Sequence, residues 1–190
     1  SSIKNAEATL KMYDEKIKSK FVEMFDLEDF IRDGKSCIYP LNSVENLCID
    51  GRGRVISKKY ILEHAGIYPV YSSQTTNDGI LGYIDTYDFD GEYLTWTTDG
   101  AKAGTIFYRN GKFSCTNVCG TLRAKSDINM RYLATILSFI TYMYVNHVGN
   151  NKLMNTPMKK IQVPLPPKTL QDEFSDYVKS IDKLKFEGHY

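Results

Sequence analysis

Nothing in the 190 residues matches the short signatures by which common catalysts announce themselves. There is no phosphate-binding P-loop, no GxSxG nucleophile elbow and no histidine pair at metal spacing. Histidine is scarce, and His64, His147 and His189 are scattered, which suits solvated or capping residues better than a general base. Gly51-Arg52-Gly53 lacks a third glycine opening a helix and reads as a turn. Asp88, Asp90 and Glu92 alternate along one strand edge, but no lysine follows at a spacing suited to nuclease chemistry. A solvated edge that discourages edge-to-edge pairing explains them better than a metal site. The absences point away from an enzyme and leave no cofactor expected on the chain.

Cysteine is also sparse, and Cys37, Cys48, Cys115 and Cys119 lack the paired CxxC spacing of a zinc site. With no signal peptide in view, buried free thiols in a cytoplasmic protein are expected. The most apolar run, YLATILSFITYMYV from Tyr132, is too short and too rich in hydroxyls to span a bilayer, so no membrane partner is expected. Net charge is near zero, with 24 Lys and Arg against 23 Asp and Glu. The signs are nevertheless segregated. Asp78 to Asp99 holds six acids and no base, Lys102 to Arg131 six bases against Asp127 alone, and Gly149 to Thr169 only bases. Such a pattern can be ordinary solvated segregation or one basic face.

Two long amphipathic segments bracket the chain. Ile3, Ala6, Leu10, Tyr13 and Ile17 are spaced three and four apart, and Phe21, Met24 and Phe25 then shift the apolar face by one residue. With neither Gly nor Pro before Gly34, a helix of roughly 23 residues, about 35 Å long, is expected. At the other end, VPLPPKTLQDEFSDYVKSIDKLKF puts prolines directly before a helix whose Leu170, Phe174, Tyr177, Ile181 and Leu184 form a second seam. Each seam alone suits a helix lying on a core. Two at opposite ends favour pairing as an antiparallel stalk, within the chain or with another.

Between them, DGRG, NDG, FDGE, TDG and RNGK separate short strand-like runs such as YPVYSS, ILGYID, EYLTW, TIFYR and NVCGTL. The expectation is α+β: a curled, largely antiparallel sheet with a packed helix, flanked by the two long helices. That packed helix starts near Asp127 as N-cap and buries Leu133, Ile136, Leu137 and Ile140. An Asn-rich loop, HVGNNKLMNTPMKK, then leads to a last strand, IQVPLP.

Several polar loops carry binding chemistry. RGRVISKK supplies Arg52, Arg54, Lys58 and Lys59, suited to phosphates. SSQTTND supplies Ser72, Ser73, Gln74, Thr75, Thr76 and Asn77, whose donors and acceptors suit base edges. In YLTWTTDGAKAGTIFYRNGKF, a strand breaks at a loop of Thr97, Thr98, Asp99, Gly100, Lys102 and Gly104, then resumes and turns at Asn110-Gly111. Asn150, Asn151 and Lys152 extend the same chemistry. Such residues are also the default of turns, so each loop is weak by itself. Together, flanked by bases, they favour double-stranded DNA. A protein- or glycan-binding module on the same sheet is the alternative, and its mark would be DNA binding that is absent or insensitive to salt.

The run GIYPVYSSQTTNDGILGYIDTYDFDGEYLTWTTDGAKAGTIFYRNGKFSCTNVCGTL, followed by INMRYLATIL and MKKIQVPLPPKTLQDEF, resembles the target recognition domain of the specificity subunit of type I restriction-modification systems. KSKFVEMF resembles the end of that family's preceding spacer helix, so the resemblance runs from about Lys18 to Phe186. It implies a spacer helix over 1–25, a recognition domain over 26–166 and a second spacer helix over 167–190. It also implies a non-enzymatic subunit that reads one part of a gapped target. The spacer helices would dock methyltransferase subunits, which carry S-adenosylmethionine and connect to the restriction subunit. The absence of an Asn-Pro-Pro-Tyr or Asp-Pro-Pro-Tyr motif agrees with that division of labour. The family has typically two recognition domains per chain and this sequence has one, so it is either a half-subunit that pairs or a piece of a longer chain. Self-association through Leu10, Tyr13, Ile17, Leu170, Phe174, Tyr177, Ile181 and Leu184 is the corresponding expectation. The ending EGHY fits no pattern.

Overall fold

A computed structural model describes residues 1–187, so His189 and the end of EGHY lie outside the described residues. In chain order the elements are α1 (Ser2–Phe25), α2 (Glu28–Asp33), β1 (Leu41–Ser43), α3 (Val44–Leu47), β2 (Cys48–Arg52), α4 (Lys58–Glu63), β3 (Ala65–Tyr71), β4 (Ile80–Ile84), β5 (Phe89–Thr97), β6 (Ile106–Cys115), β7 (Cys119–Ala124), α5 (Met130–Ile140), α6 (Asn155–Lys160), β8 (Gln162–Pro164) and α7 (Lys168–Glu187). They form two compact units, residues 1–40 with the chain from Pro164 onward, and residues 41–163. The sequence-based boundaries at 25/26 and 166/167 both fall inside the first unit.

The first unit is helical. α1 runs unbroken because nothing in it breaks a helix, and it stops at Asp26, whose left-handed φ of 52° turns its N–H onto the Val22 carbonyl. α7 begins directly after Pro166-Pro167. The Pro167 carbonyl accepts from Leu170 and Gln171, and the Gln171 side chain donates to the Pro166 carbonyl, which closes the first turn. The helices run antiparallel: Phe174 meets Phe21 and Phe25 at ring distances of 5.4 and 5.6 Å, while Lys185 reaches Asp14 at 2.8 Å. On α1, Leu10, Tyr13 and Ile17 are half-buried and Phe21 and Phe25 buried.

The phase of α7 differs from the expected seam. Its buried face is Gln171, Phe174, Ser175, Val178 and Ile181, while Leu170 and Tyr177 are half-buried and Leu184 is 47% exposed. Both seams share Phe174 and Ile181, so a four-three spacing cannot separate them. Small Ser175 and apolar Val178 sit on the covered side, and Tyr177 instead lies under the Lys20 ammonium, 5.5 Å from its ring centre.

The second unit is built on an open six-stranded sheet in the order β2-β7-β5-β6-β3-β4, with β1 and β8 as a separate pair. Every neighbour is antiparallel except β3 with β6, so the largely antiparallel sheet stands. α5 packs on β5 and β6, burying the four expected residues together with Met130 and Tyr132. Its N-cap is Asn129, not Asp127: the Asn129 carboxamide oxygen accepts from the Arg131 and Tyr132 amides at 3.0 and 3.1 Å.

Three of the glycine signals do not mark turns. Gly51 and Arg52 lie inside β2, where Gly51 pairs with Thr121 and a Cβ would come within 2.5 Å of the threonine hydroxyl. FDGE and RNGK lie within β5 and β6, where Gly91 and Gly111 face each other at φ of 129° and 135°. Glycine here allows an unusual extended backbone without reversing the chain. The ladder continues past them to Phe89 opposite Phe113, whose rings stack at 5.2 Å. The β5–β6 hairpin reverses at residues 98–105, as the TDG signal indicates.

Gly120 has a packing reason. It lies opposite Trp96 across the β5–β7 ladder, and a Cβ there would sit 2.3 Å from the indole. The buried indole covers the glycine and donates from Nε1 to the Leu153 carbonyl at 2.7 Å.

All four cysteines are free thiols, with Cys48, Cys115 and Cys119 buried and Cys37 half-buried. Burial pushes the Cys48 thiol up to about 12. A thiol-disulfide reagent such as DTNB is therefore expected to modify Cys37 rapidly and the other three only on unfolding. Rapid release of more than one equivalent from the native chain would contradict this packing. No helix among the described residues is long and apolar enough to cross a membrane.

Candidate nucleic-acid interface

In the second unit, loops distant in sequence are stitched together. The β3–β4 loop joins the sheet through Ser72 Oγ, 3.0 Å from Thr116 Oγ1, and through its Ser73 carbonyl, which accepts from Thr97 Oγ1 at 3.3 Å. The β5–β6 loop pairs with the segment before α6: the Gly100 amide donates to the Asn151 carbonyl at 2.9 Å, and the Leu153 amide to the Thr98 carbonyl at 2.8 Å. Asn146 and Lys152 exchange amide bonds at 2.8 and 2.9 Å, closing a small turn around Gly149, whose φ is 76°. Arg52 ties these segments to β2. Its Nε donates to the Asn117 carbonyl at 2.8 Å, and its terminal nitrogens reach Thr98 Oγ1 at 3.0 Å, Asn155 Oδ1 at 3.3 Å and Asp99 at 3.4 Å.

The expected binding residues divide by this geometry. Thr76, Asn77, Lys102, Asn150 and Lys152 are exposed, with Ser72, Ser73, Gln74, Thr75, Asp99 and Asn151 half-buried behind them. Lys152 lies 3.9 Å from Asp99, which offsets part of its charge. The side-chain amides of Gln74 and Asn77 both donate to the Ile80 carbonyl, at 2.6 and 3.4 Å, which commits one N–H of each and leaves the second N–H and the carboxamide oxygen for a bidentate base contact.

Thr97 and Thr98 do not fit the expectation of side-chain contacts to DNA. They are 2% and 0% exposed, with hydroxyls committed to Ser73 and Asp99. β5 continues to Thr97, so both threonines hold the loop from beneath. Arg52 and Arg54 are also engaged within the fold. Arg54 pairs with Asp88 at 2.7 Å and lies over the Tyr60 ring, and the Asp88 hydrogen bond holds its pKa above the usual value. Lys58 and Lys59 occupy the first turn of α4, capped by Ser57 Oγ, and α4 packs on β4 with Ile61 over Gly82. Among the described residues, none of the bonds that stitch the loops together involves either lysine.

Of the strand-edge acids, Asp88 accepts from Arg54 and Glu92 from the Tyr108 hydroxyl. Burial, reinforced by Glu92, pushes the Tyr108 phenol up to about 12. No three His, Cys, Asp or Glu side chains among the described residues are grouped to hold a metal.

Sequence reasoning missed Asn155, whose amide nitrogen donates to Asp50 and to the Gly51 carbonyl at 3.0 and 2.9 Å, and Arg109, which is 4% exposed. Asn155 carries no signal within an Asn-rich loop. Arg109 carries a weak one, a cation in the aromatic strand IFYRN.

Four known relatives and family patterns bear on this architecture. A type I specificity subunit assignment belongs to a Mycoplasma pneumoniae protein 45% identical over 143 residues, covering 74% of this chain and 39% of that protein. The specificity subunit of the type I restriction enzyme MpnII, from the same organism, is 42% identical over 143 residues, covering 74% of this chain and 43% of that protein. The crystal structure of the S subunit of a type I restriction-modification system from M. genitalium superposes with a TM-score of 0.74 at 13% identity, over 97% of this chain and 51% of that one. The chain thus spans about two-fifths of these relatives and half of that structure. Residues 39–189 match the model of the type I restriction modification DNA specificity domain, and the chain belongs to that family.

Proposed function

We propose that the chain reads one half of a two-part, gapped duplex target through the stitched loops of its second unit, as a non-catalytic member of a type I restriction-modification assembly. The observation that carries this reading is the convergence of polar loops from three distant segments, with Ser73 on Thr97, Arg52 on Thr98 and Asp99, and Gly100 on Asn151. Their exposed tips offer Thr76, Asn77, Lys102, Asn150 and Lys152, a mixture of base-edge and phosphate chemistry. Arg52, Thr97 and Thr98 act as the frame. Arg54, Lys58 and Lys59 supply phosphate contacts only if the duplex extends over α4.

The antiparallel contacts of α1 and α7 support a spacer stalk that docks methyltransferase subunits and, through them, the restriction subunit. S-adenosylmethionine belongs to the methyltransferase in this scheme, and the assembly acts on DNA in the cytoplasm. Ile3 is 70% exposed and Leu184 and Phe186 also face solvent, which leaves apolar surface for a second copy. Ile181 is buried, so Leu184→Asp is the cleaner disruption, expected to convert a dimer to a monomer in sedimentation at tens of micromolar.

The test is selection from a random duplex pool by this chain assembled with a type I methyltransferase subunit. One short enriched motif is expected, with binding that weakens steeply with salt. Lys102→Ala and Lys152→Ala should each reduce the salt slope by about one unit and leave the motif unchanged. Failure to enrich any sequence, or binding indifferent to salt, would overturn the reading.

A further inference from the structure

The guanidinium of Arg109 is buried, yet its one carboxylate partner among the described residues is Asp78, which is 65% exposed at the β3–β4 loop tip. The group lies 3.4 Å from the Tyr71 ring centre and 4.3 Å from that of Phe107, so aromatic surface fixes its plane. Nε donates to Thr95 Oγ1 at 3.2 Å. The two terminal nitrogens hold Asp78 twice, through its carbonyl at 2.8 Å and its carboxylate at 3.0 Å. A buried cation gripping both main chain and side chain of one loop residue is an anchor.

The loop needs one. Asn77, Asp78 and Gly79 have successive φ values of 52°, 54° and 75°, a left-handed run that is unfavourable for the two non-glycine residues. The long-range ties to Thr116 and Thr97 hold only the loop's first two residues, Ser72 and Ser73, and the remaining bonds are short-range: Ser72 to the Gly79 carbonyl, Gly79 to the Thr76 carbonyl, and Gln74 and Asn77 to the Ile80 carbonyl. A Cβ on Gly79 would stand 3.0 Å from the Arg109 terminal nitrogen, so the loop closes directly over the guanidinium.

We infer that Arg109 is a positioning residue for sequence readout: acting through Asp78, it fixes Thr75, Thr76 and Asn77 where they meet base edges, without touching DNA itself. This inference rests on the DNA reading above and assigns it a specificity determinant. Base-edge hydrogen bonds tolerate only small displacements, whereas lysine–phosphate attraction does not depend on such geometry. Loosening the anchor should therefore degrade discrimination and leave the salt slope alone.

The experiment uses the full chain in its methyltransferase assembly, with the selected duplex and a scrambled duplex of the same length. Asp78→Asn keeps a residue that tolerates left-handed backbone and keeps the carbonyl bond, but removes the charge pair; Arg109→Lys keeps the charge and loses the planar fork. Both variants should show faster amide exchange over 74–80, and the ratio of selected to scrambled affinity should fall at least about fivefold. The salt slope should be unchanged. If Arg109→Lys fails to fold, Asp78→Asn alone decides, because its side chain is largely in solvent. An unchanged ratio, or equally tighter binding to both duplexes because only a repulsive acid was removed, overturns the inference and leaves the DNA reading intact. A wild-type assembly that enriches no motif overturns both.

Discussion

Replacing Trp96 with alanine is expected to cost about 3–5 kcal/mol of stability, near the upper end for a single core truncation. The indole is 1% exposed, roofs the bare backbone of Gly120 and supplies the Leu153 carbonyl with its donor. Truncation would open a cavity and leave that carbonyl without its indole partner. The residue-146–153 turn should then loosen, because Leu153 anchors its end. Gly120→Ala attacks the same packing from the other side, by forcing a methyl into the indole, and should cost about 1–3 kcal/mol. Urea unfolding followed by far-UV circular dichroism measures both, since Trp96 is the only tryptophan and its emission is lost in one variant. A loss below about 1 kcal/mol for Trp96→Ala would mean the ring is not the keystone of this sheet.

Phe174→Ala should be comparably damaging in the helical unit, about 3–5 kcal/mol, because the ring is fully buried against Phe21 and Phe25. Neighbouring substitutions test the phase of α7. Val178→Ala should destabilise by about 1 kcal/mol or more, whereas Leu184→Ala, at an exposed position, should stay within about 0.5 kcal/mol. The opposite order, with Leu184 costly and Val178 neutral, would restore the seam implied by the four-three spacing.

That seam shows how far sequence reasoning reaches here. Spacing identified two helices and the proline pair placed the start of α7, because helix propensity and capping are local. The phase of α7 depends on the partner's shape, where Phe21 and Phe25 meet Phe174 and Lys20 covers Tyr177. The glycine misreadings have a similar cause. Gly91 and Gly111 carry turn chemistry in FDGE and RNGK, but sit opposite each other in a ladder that only long-range pairing reveals. Among the loops, composition identified polar segments without separating tips from frames. Thr97 and Thr98 resemble Thr75 and Thr76 as letters, yet the first two lie buried under the loop and Thr76 faces solvent. Arg109 was hidden because its partner, Asp78, is thirty-one positions away.

The central claim is that the stitched loops form the DNA face. Amide hydrogen exchange of the full chain, with and without a saturating concentration of its selected duplex, tests it most directly. Residues 74–79, 99–103 and 147–152 are expected to exchange more slowly with DNA present, while α4 and the two long helices stay unchanged. Slowing confined to α4 or the helices, with those three loops exchanging as in the free chain, would contradict the assignment of the face.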